Sequence, residues 1–221
     1  MKLSAVTLAR VLGFIETYDL NPGGGVFYPT LLAGIIERFR FQKFPQKPED
    51  FDEQKGVEFL DGQWDGVNVS KLVIYWNGLM LDTQNSTLES ERILEEALLW
   101  AADKFTLKYT AGMMSRKRYL SNLTFYSDEN LLRLNPAISK LTSSLHDKVK
   151  EITGHDLAYE STRLDVDFCR HARQMPISAF TIQRRLETPF EENKYFSEAP
   201  LPTNLHWELL EEFESGLLSQ K

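Results

Sequence analysis

Apolar residues recur at two spacings along the chain, and the change between them separates predicted strands from predicted helices. Residues 5–18, AVTLARVLGFIETY, are rich in β-branched and aromatic types and predict a long strand. Farther along, Ile35, Ile36 and Phe39 recur at helical spacing. Pro29 suits the first turn of this helix because its missing N–H would be unpaired there. The pattern predicts a strand and a helix joined by a glycine-rich loop.

The clearest local pattern is KLVIYWNGLMLDT (71–83), in which two apolar runs flank an Asn-Gly pair. Both residues of the pair tolerate the positive φ of a type I′ turn, so a β-hairpin is predicted, preceded by a strand at 56–60. Ser86 and Glu89 have the spacing of a capping box. The apolar stripe that follows predicts a helix over 87–104.

The second half of the chain carries a comparable series. A strand is predicted within 113–127, and an Asn-Pro pair then starts a helix that ends at Gly154, a glycine placed as a carboxy-terminal cap. Two more strands follow at 157–169 and 178–187, and Thr203 or Asn204 caps a final helix. The side chains predicted to face inward are Ile138, Leu141, Leu145, Val149 and Ile152 in the first helix, and Leu209, Leu210, Phe213 and Leu217 in the last.

Interleaved helices and hairpins predict an α+β fold, mainly antiparallel, with helices packed on one face of the sheet. We predict one compact unit over 1–221, with sub-halves 1–105 and 106–221. Each half would contain a β-α-β-β-α series, and an Asn-Pro pair precedes the first helix of both halves. Residue identity between the halves is otherwise poor, so an internal duplication is a hypothesis.

Composition indicates a globular protein, because 42% of the residues are hydrophobic, 12% aromatic and 26% charged. A chain of this length buries a stable core without a metal or a disulfide. The single cysteine, Cys169, suits a reducing compartment, and Arg10 interrupts the amino-terminal apolar run. No run approaches the roughly 20 apolar residues of a membrane helix. We predict a cytoplasmic protein with no membrane contact.

The net charge of −7 is distributed unevenly: −6 over 1–105, +4 over 106–190 and −5 over 191–221. Two interpretations stay open. The acidic carboxy-terminal helix neutralises the basic segment, or the segment offers a basic face to an anionic partner. Nucleic-acid binding is therefore the first alternative function, with the candidate residues Arg116, Lys117, Arg118, Arg184 and Arg185.

The stretch DLNPGGGVFYP (19–29) places three glycines just before a helix. A phosphate-binding P-loop needs Gly-Lys-Ser/Thr at the helix start, and the dinucleotide fingerprint needs spaced glycines, so neither motif is present. We predict a contact loop for a partner instead. Its candidate binding residues are Gly23, Gly24, Gly25, Phe27 and Tyr28.

Metal-dependent chemistry has weaker indications. On a strand, Asp165, Asp167, Cys169 and His171 would share one face, but same-face neighbours lie ~6.6 Å apart, so a single ion reaches only two of them. A polar strand face explains this pattern without a metal. We predict no metal and no cofactor.

The sequence predicts a non-catalytic interaction or assembly subunit of a cytosolic complex, which binds a protein partner or self-associates. A metal-dependent hydrolase or nuclease is the second alternative. It would use Glu53 and Lys55, a Glu-X-Lys triplet of the kind in which a carboxylate binds metal and a lysine steadies developing charge.

Overall fold

The structure, a computed structural model, describes residues 1–25, 27–133, 136–167 and 177–219. Within them the fold is α+β, and its strands form one antiparallel sheet in the order β2-β3-β4-β1-β5-β8-β7-β6. The described elements are β1 (Lys2–Phe14), α1 (Thr17–Leu20), α2 (Tyr28–Phe39), β2 (Val57–Trp64), β3 (Val67–Tyr75), β4 (Gly78–Thr83), α3 (Thr87–Phe105), β5 (Arg116–Tyr126), α4 (Pro136–Thr153), β6 (Arg163–Val166), β7 (Phe180–Arg184), β8 (Lys194–Ala199) and α5 (Thr203–Leu218).

The chain divides into two compact units that do not follow simple sequence order. Unit 1 comprises Met1–Ala5, Leu123–Ala199 and His206–Lys221, and unit 2 comprises Val6–Asn122 and Pro200–Leu205. The single unit over 1–221, the sub-halves 1–105 and 106–221, and helices on one face of the sheet stay predictions.

The elements differ from the predicted series in four places. The strand predicted at 56–60 extends to Trp64 as β2 and turns at Asp65-Gly66, both at positive φ, into β3, which is the first strand of the predicted 71–83 hairpin. The predicted type I′ turn at Asn77-Gly78 is wrong: Gly78 already belongs to β4 and pairs with Tyr75, so the loop is Trp76-Asn77, and neither Asn77 nor Gly78 has positive φ.

Strand β6 covers only Arg163–Val166 of the predicted 157–169, whose last two residues lie outside the described ranges. The sequence pattern misses strand β8, because Ser197 and Ala199 on its buried face are too small to mark an apolar pattern.

With β8 included, the two halves of the chain have the same order of long elements, β-α-β-β-β-α. The pairing order is β2-β3-β4-β1 in the first half and β6-β7-β8-β5 in the second. Each half therefore has three strands between its two long helices, one more than the predicted β-α-β-β-α series. The shared order agrees with the duplication hypothesis in outline. Duplication stays a prediction.

Unit 2 has a large apolar core built against β3 and β4. Every residue of β4 is buried, and β4 pairs with β3 on one side and β1 on the other. Aromatic rings pack next to it: Phe39 lies 5.0 Å from Phe41 and 4.7 Å from Trp64 between ring centroids, and Trp64 lies 6.2 Å from Trp100. Rings at these separations add to the free energy gained by burial.

Buried polar groups fix α3 against the strands of unit 2. The Ser90 hydroxyl donates to the Ala9 carbonyl of β1 at 2.8 Å and lies 2.8 Å from the Thr83 hydroxyl of β4. Arg10 of β1 forms a two-pronged ion pair with the buried Asp82 of β4, with both N–O distances 2.7 Å. Each group has a partner, so burial costs little, and the pairings specify how these elements meet.

Unit 1 has a smaller core, to which α5 contributes the face formed by His206, Leu210 and Glu214. Of the inward set predicted for α5, Leu210 is buried, Phe213 and Leu217 are half-buried, and Leu209 is exposed. An apolar pattern misplaces this face because two of its three members are polar. The other buried apolar residues of unit 1 are Leu123, Phe125, Leu131, Leu132, Ile182, Tyr195 and Ala199.

The predicted cap of α3 is confirmed: the Ser86 hydroxyl accepts the Glu89 amide at 3.1 Å. The second half of the capping box is wrong, because the Glu89 carboxylate pairs with Arg92 at 2.6 Å. An arginine one turn along the helix competes for the carboxylate.

Ser86→Ala is expected to destabilise unit 2 by about 1 kcal/mol, because one helix amide loses its acceptor. Urea unfolding followed by tryptophan fluorescence measures the effect, since three of the four tryptophans lie in unit 2. The control is Ser115→Ala, an exposed serine of the same unit, for which a change below about 0.5 kcal/mol is expected. Equal losses in the two variants would contradict the capping role.

Candidate functional site

Helix α4 in unit 1 carries an apolar stripe that faces water. Leu141 is 67% exposed, Leu145 41% and Ile152 82%, and none of the described α4 residues is buried. The prediction of a helix from Pro136 to Gly154 is confirmed, with the Gly154 amide closing the last turn on Lys150. The prediction that the stripe packs inward is wrong. Helical periodicity identifies an apolar face but not the surface that covers it.

Unit 2 contains a cavity of about 370 Å³ enclosed by α2, α3 and the strands β3 and β4. Its walls are mostly aliphatic, and they include Leu31 and Ile35 of α2 and Leu94 and Leu98 of α3. Few voids in protein interiors exceed the size of a water molecule. A cavity this large therefore marks a candidate small-molecule site.

Two polar side chains lie at the edge of this cavity. The Tyr28 hydroxyl is buried next to the Glu53 carboxylate, but within the described ranges it does not reach ideal hydrogen-bond geometry with it. Burial raises the pKa of the Tyr28 phenol, and the nearby negative charge of Glu53 adds to the increase. The Glu53 carboxylate accepts a hydrogen bond from the Thr17 hydroxyl at 3.3 Å. The cavity therefore combines an apolar body with one polar corner.

The glycine loop lies beside the cavity and does not form a phosphate cradle. Gly23 and Gly24 have positive φ and face open space, and Gly24 contributes to the cavity wall. Phe27 is 71% exposed. The predicted binding role of Gly23, Gly24, Gly25, Phe27 and Tyr28 stays a prediction, and among these residues Tyr28 and Gly24 line the cavity.

The basic residues predicted for an anionic partner fall into different environments. Arg116 and Arg118 of unit 2 both lie over the Phe14 ring, at 5.6 and 5.0 Å from its centroid. Lys117 points elsewhere and pairs with Glu91 at 2.7 Å. In unit 1, Arg185 pairs with Glu187 at 2.6 Å. Their binding role stays a prediction.

Arg184 lies inside unit 1, with only 2% of its side chain exposed. Its guanidinium pairs with the Glu160 carboxylate at 2.8 Å and donates to the Phe190 carbonyl oxygen at 2.6 Å. It also packs against the Tyr195 ring, 5.2 Å from the ring centroid. A buried and paired arginine stabilises its own unit. A binding role for Arg184 stays a prediction, and its burial disfavours that role.

The residues considered for metal binding do not converge. Asp165 accepts hydrogen bonds from Thr181 and Arg163, which together lower the pKa of its carboxyl group. Lys55 pairs with Asp52, not with Glu53. Cys169 and His171 lie outside the described residues. Within the residues that are described, no three His, Cys, Asp or Glu side chains come together as metal ligands.

Ser197 and His206 of unit 1 have the composition of a nucleophile–base pair, with 2.8 Å between the Ser197 hydroxyl and His206 Nε2. Both residues are fully buried. The Ser197 hydroxyl also lies 2.7 Å from the Thr181 carbonyl, which can only accept. The serine proton therefore goes to Thr181, and His206 Nε2–H donates to serine. This direction is opposite to the one that activates a nucleophile, so the pair is structural.

No known protein family matches this chain, and no curated protein sequence matches it. Across the described helices, none is long and apolar enough to cross a bilayer. The exposed stripe of α4 and the cavity of unit 2 are therefore the two features that point to a function, and the sequence patterns identified neither as a site.

Burial lowers the pKa of His206 from 6.5 to about 4. Above pH 6.5, His206 is neutral in both the folded and the unfolded protein. Between pH 6.5 and 4, only the unfolded chain gains a proton at this residue. Unit 1 should therefore lose about 2 kcal/mol between pH 7 and pH 5 through this group.

Urea unfolding of the wild type and His206→Gln at both pH values measures this loss. The variant is less stable at pH 7, but its stability should fall less on acidification. His155→Gln, at an exposed histidine, should retain the wild-type dependence. The interpretation fails if the wild type and His206→Gln show the same change with pH.

Proposed function

We propose that this protein is a non-catalytic interaction or assembly subunit of a cytosolic complex, and that the exposed stripe of α4 is its contact surface. The observation that carries the proposal is an amphipathic helix of 18 residues with no buried residue in its described structure. The proposal concerns unit 1 and makes no use of the cavity in unit 2.

The energetics of an exposed helix support a partner. Isolated helices of this length are marginal in water, and most helical stability in proteins comes from packing of the apolar face. Within the described residues, the α4 stripe, formed by Leu141, Leu145 and Ile152, leaves that contribution unused. A protein groove or a second copy that covers the stripe would supply it, in the manner of helix-in-groove recognition.

The polar side of α4 has its own interactions. Lys150 pairs with Asp156 at 2.8 Å, and His146 Nδ1 lies 2.8 Å from the Leu157 carbonyl. These contacts fix the end of the helix from its polar side and leave the stripe facing outward. A partner can therefore bind the stripe without breaking them.

Leu141→Gln/Leu145→Gln is expected to abolish association while leaving the fold intact. Glutamine has nearly the helix propensity of leucine, and both side chains are exposed, so the free energy of unfolding should change by less than about 0.5 kcal/mol. Native mass measurement and pull-down should give a mass above 25.5 kDa, or a co-purifying partner, for the wild type only.

The matched control is Leu88→Gln, at an exposed leucine in the first turn of α3. It should associate as the wild type does. A wild type that is a strict 25.5 kDa monomer and captures no partner would overturn the proposal. The measured mass distinguishes self-association from binding of a different protein, because self-association gives a multiple of the chain mass.

Nucleic-acid binding is the second candidate, favoured by Arg116 and Arg118. Neither has a carboxylate partner among the described residues, and both flank the Phe14 ring. Basic side chains beside an aromatic ring suit a single-stranded nucleic acid, because the basic groups contact its phosphates and the ring stacks on its bases.

Arg116→Ala/Arg118→Ala tests this candidate against a single-stranded oligonucleotide at several salt concentrations. Loss of two phosphate contacts should reduce the slope of log affinity against log salt by about 1.4. Lys140→Ala/Lys148→Ala removes the same charge from α4 and should leave the slope unchanged. Wild-type affinity that is flat with salt would exclude the candidate.

A further inference from the structure

The cavity of unit 2 has the size of a small-molecule site. Its volume of about 370 Å³ is more than twice the ~150 Å³ that holds benzene in an engineered protein cavity. By that ratio it accommodates roughly 15 non-hydrogen atoms. The aliphatic side chains of Leu31, Ile35, Leu94 and Leu98 fit an apolar body.

The polar side chains at one corner of the cavity determine which functional group a ligand would carry there. The Glu53 carboxylate accepts one hydrogen bond, from Thr17, and a carboxylate accommodates about four. The buried Tyr28 hydroxyl lies near the Glu53 carboxylate and is the second polar group at this corner. A hydroxyl or neutral amine head that accepts the Tyr28 proton and donates to Glu53 forms a hydrogen bond with each.

We propose that unit 2 binds a small apolar molecule that carries one hydrogen-donating amine or hydroxyl head. The body lies between α2 and α3, and the head lies against Tyr28 and Glu53. The glycine loop, through Asn21 and Gly24, forms part of the wall. This site belongs to unit 2, whereas the α4 stripe belongs to unit 1, so the inference goes beyond the proposed function.

A second cavity of about 570 Å³ provides an internal comparison. Tyr28 and Glu53 belong to the walls of both cavities, whereas Ala33 lines only the second and Ala97 only the first. A bulky side chain at position 97 therefore fills the proposed site, and one at position 33 fills its neighbour.

The experiment titrates the protein with 1-naphthylamine, an apolar molecule with one amine head, which is smaller than the limit of roughly 15 non-hydrogen atoms and whose fluorescence changes in apolar surroundings. Saturable binding with one probe per chain is expected. Ala97→Phe should abolish it, and Tyr28→Phe should weaken it about fivefold, the equivalent of one hydrogen bond. If circular dichroism shows that Ala97→Phe is unfolded, Ala101→Leu takes its place.

Two matched controls distinguish this site from other apolar surfaces. Tyr109→Phe removes another buried tyrosine hydroxyl, from a residue that lines neither cavity, and Ala33→Phe fills the neighbouring cavity. Both should bind the probe as the wild type does. Absence of saturable binding, binding unchanged in folded Ala97→Phe, or binding lost only in Ala33→Phe would overturn the proposal. Leu141→Gln/Leu145→Gln should bind normally, so failure of either proposal is seen independently.

Discussion

Burial of β4 is the constraint on which unit 2 depends. All six residues of this strand are buried, and its backbone is paired on both sides, by β1 and by β3. The two-residue Trp76-Asn77 loop sets its register with β3, so the apolar side chains of both strands lie where α2 and α3 can cover them. The same apolar surface forms part of the cavity wall, which makes the site a consequence of how the helices cover the strands.

Buried polar groups specify the packing of unit 1, as Ser90 and Asp82 do in unit 2. Arg184, Ser197 and His206 are all buried, and each has a defined partner: Glu160, Thr181 and Ser197 respectively. Such groups specify an arrangement because an unpaired buried polar atom is costly. They leave fewer apolar contacts for the remaining elements, and α4 is the helix whose apolar face stays exposed.

Local signals predicted much of the secondary structure. The 71–83 hairpin, the Ser86 cap and the Gly154 terminus are all present, because each depends on residues close together in sequence, although the hairpin turns at Trp76-Asn77 and not at the predicted Asn77-Gly78. Strand β8 and the buried face of α5 were missed, since small and polar residues occupy their inward positions. The candidate sites were not predicted, as the cavity joins residues from distant segments and the α4 stripe has the periodicity of a core helix.

The sequence by itself determined the α+β class, the 71–83 hairpin and the helix ends, because propensity, capping and alternation act over a few residues. The tertiary structure decided which faces are covered. It placed Arg184 inside, left Leu141 and Ile152 outside, and set Tyr28 beside Glu53. Burial depends on contacts between residues far apart in the chain, and a periodic pattern contains no information about the partner that each face meets.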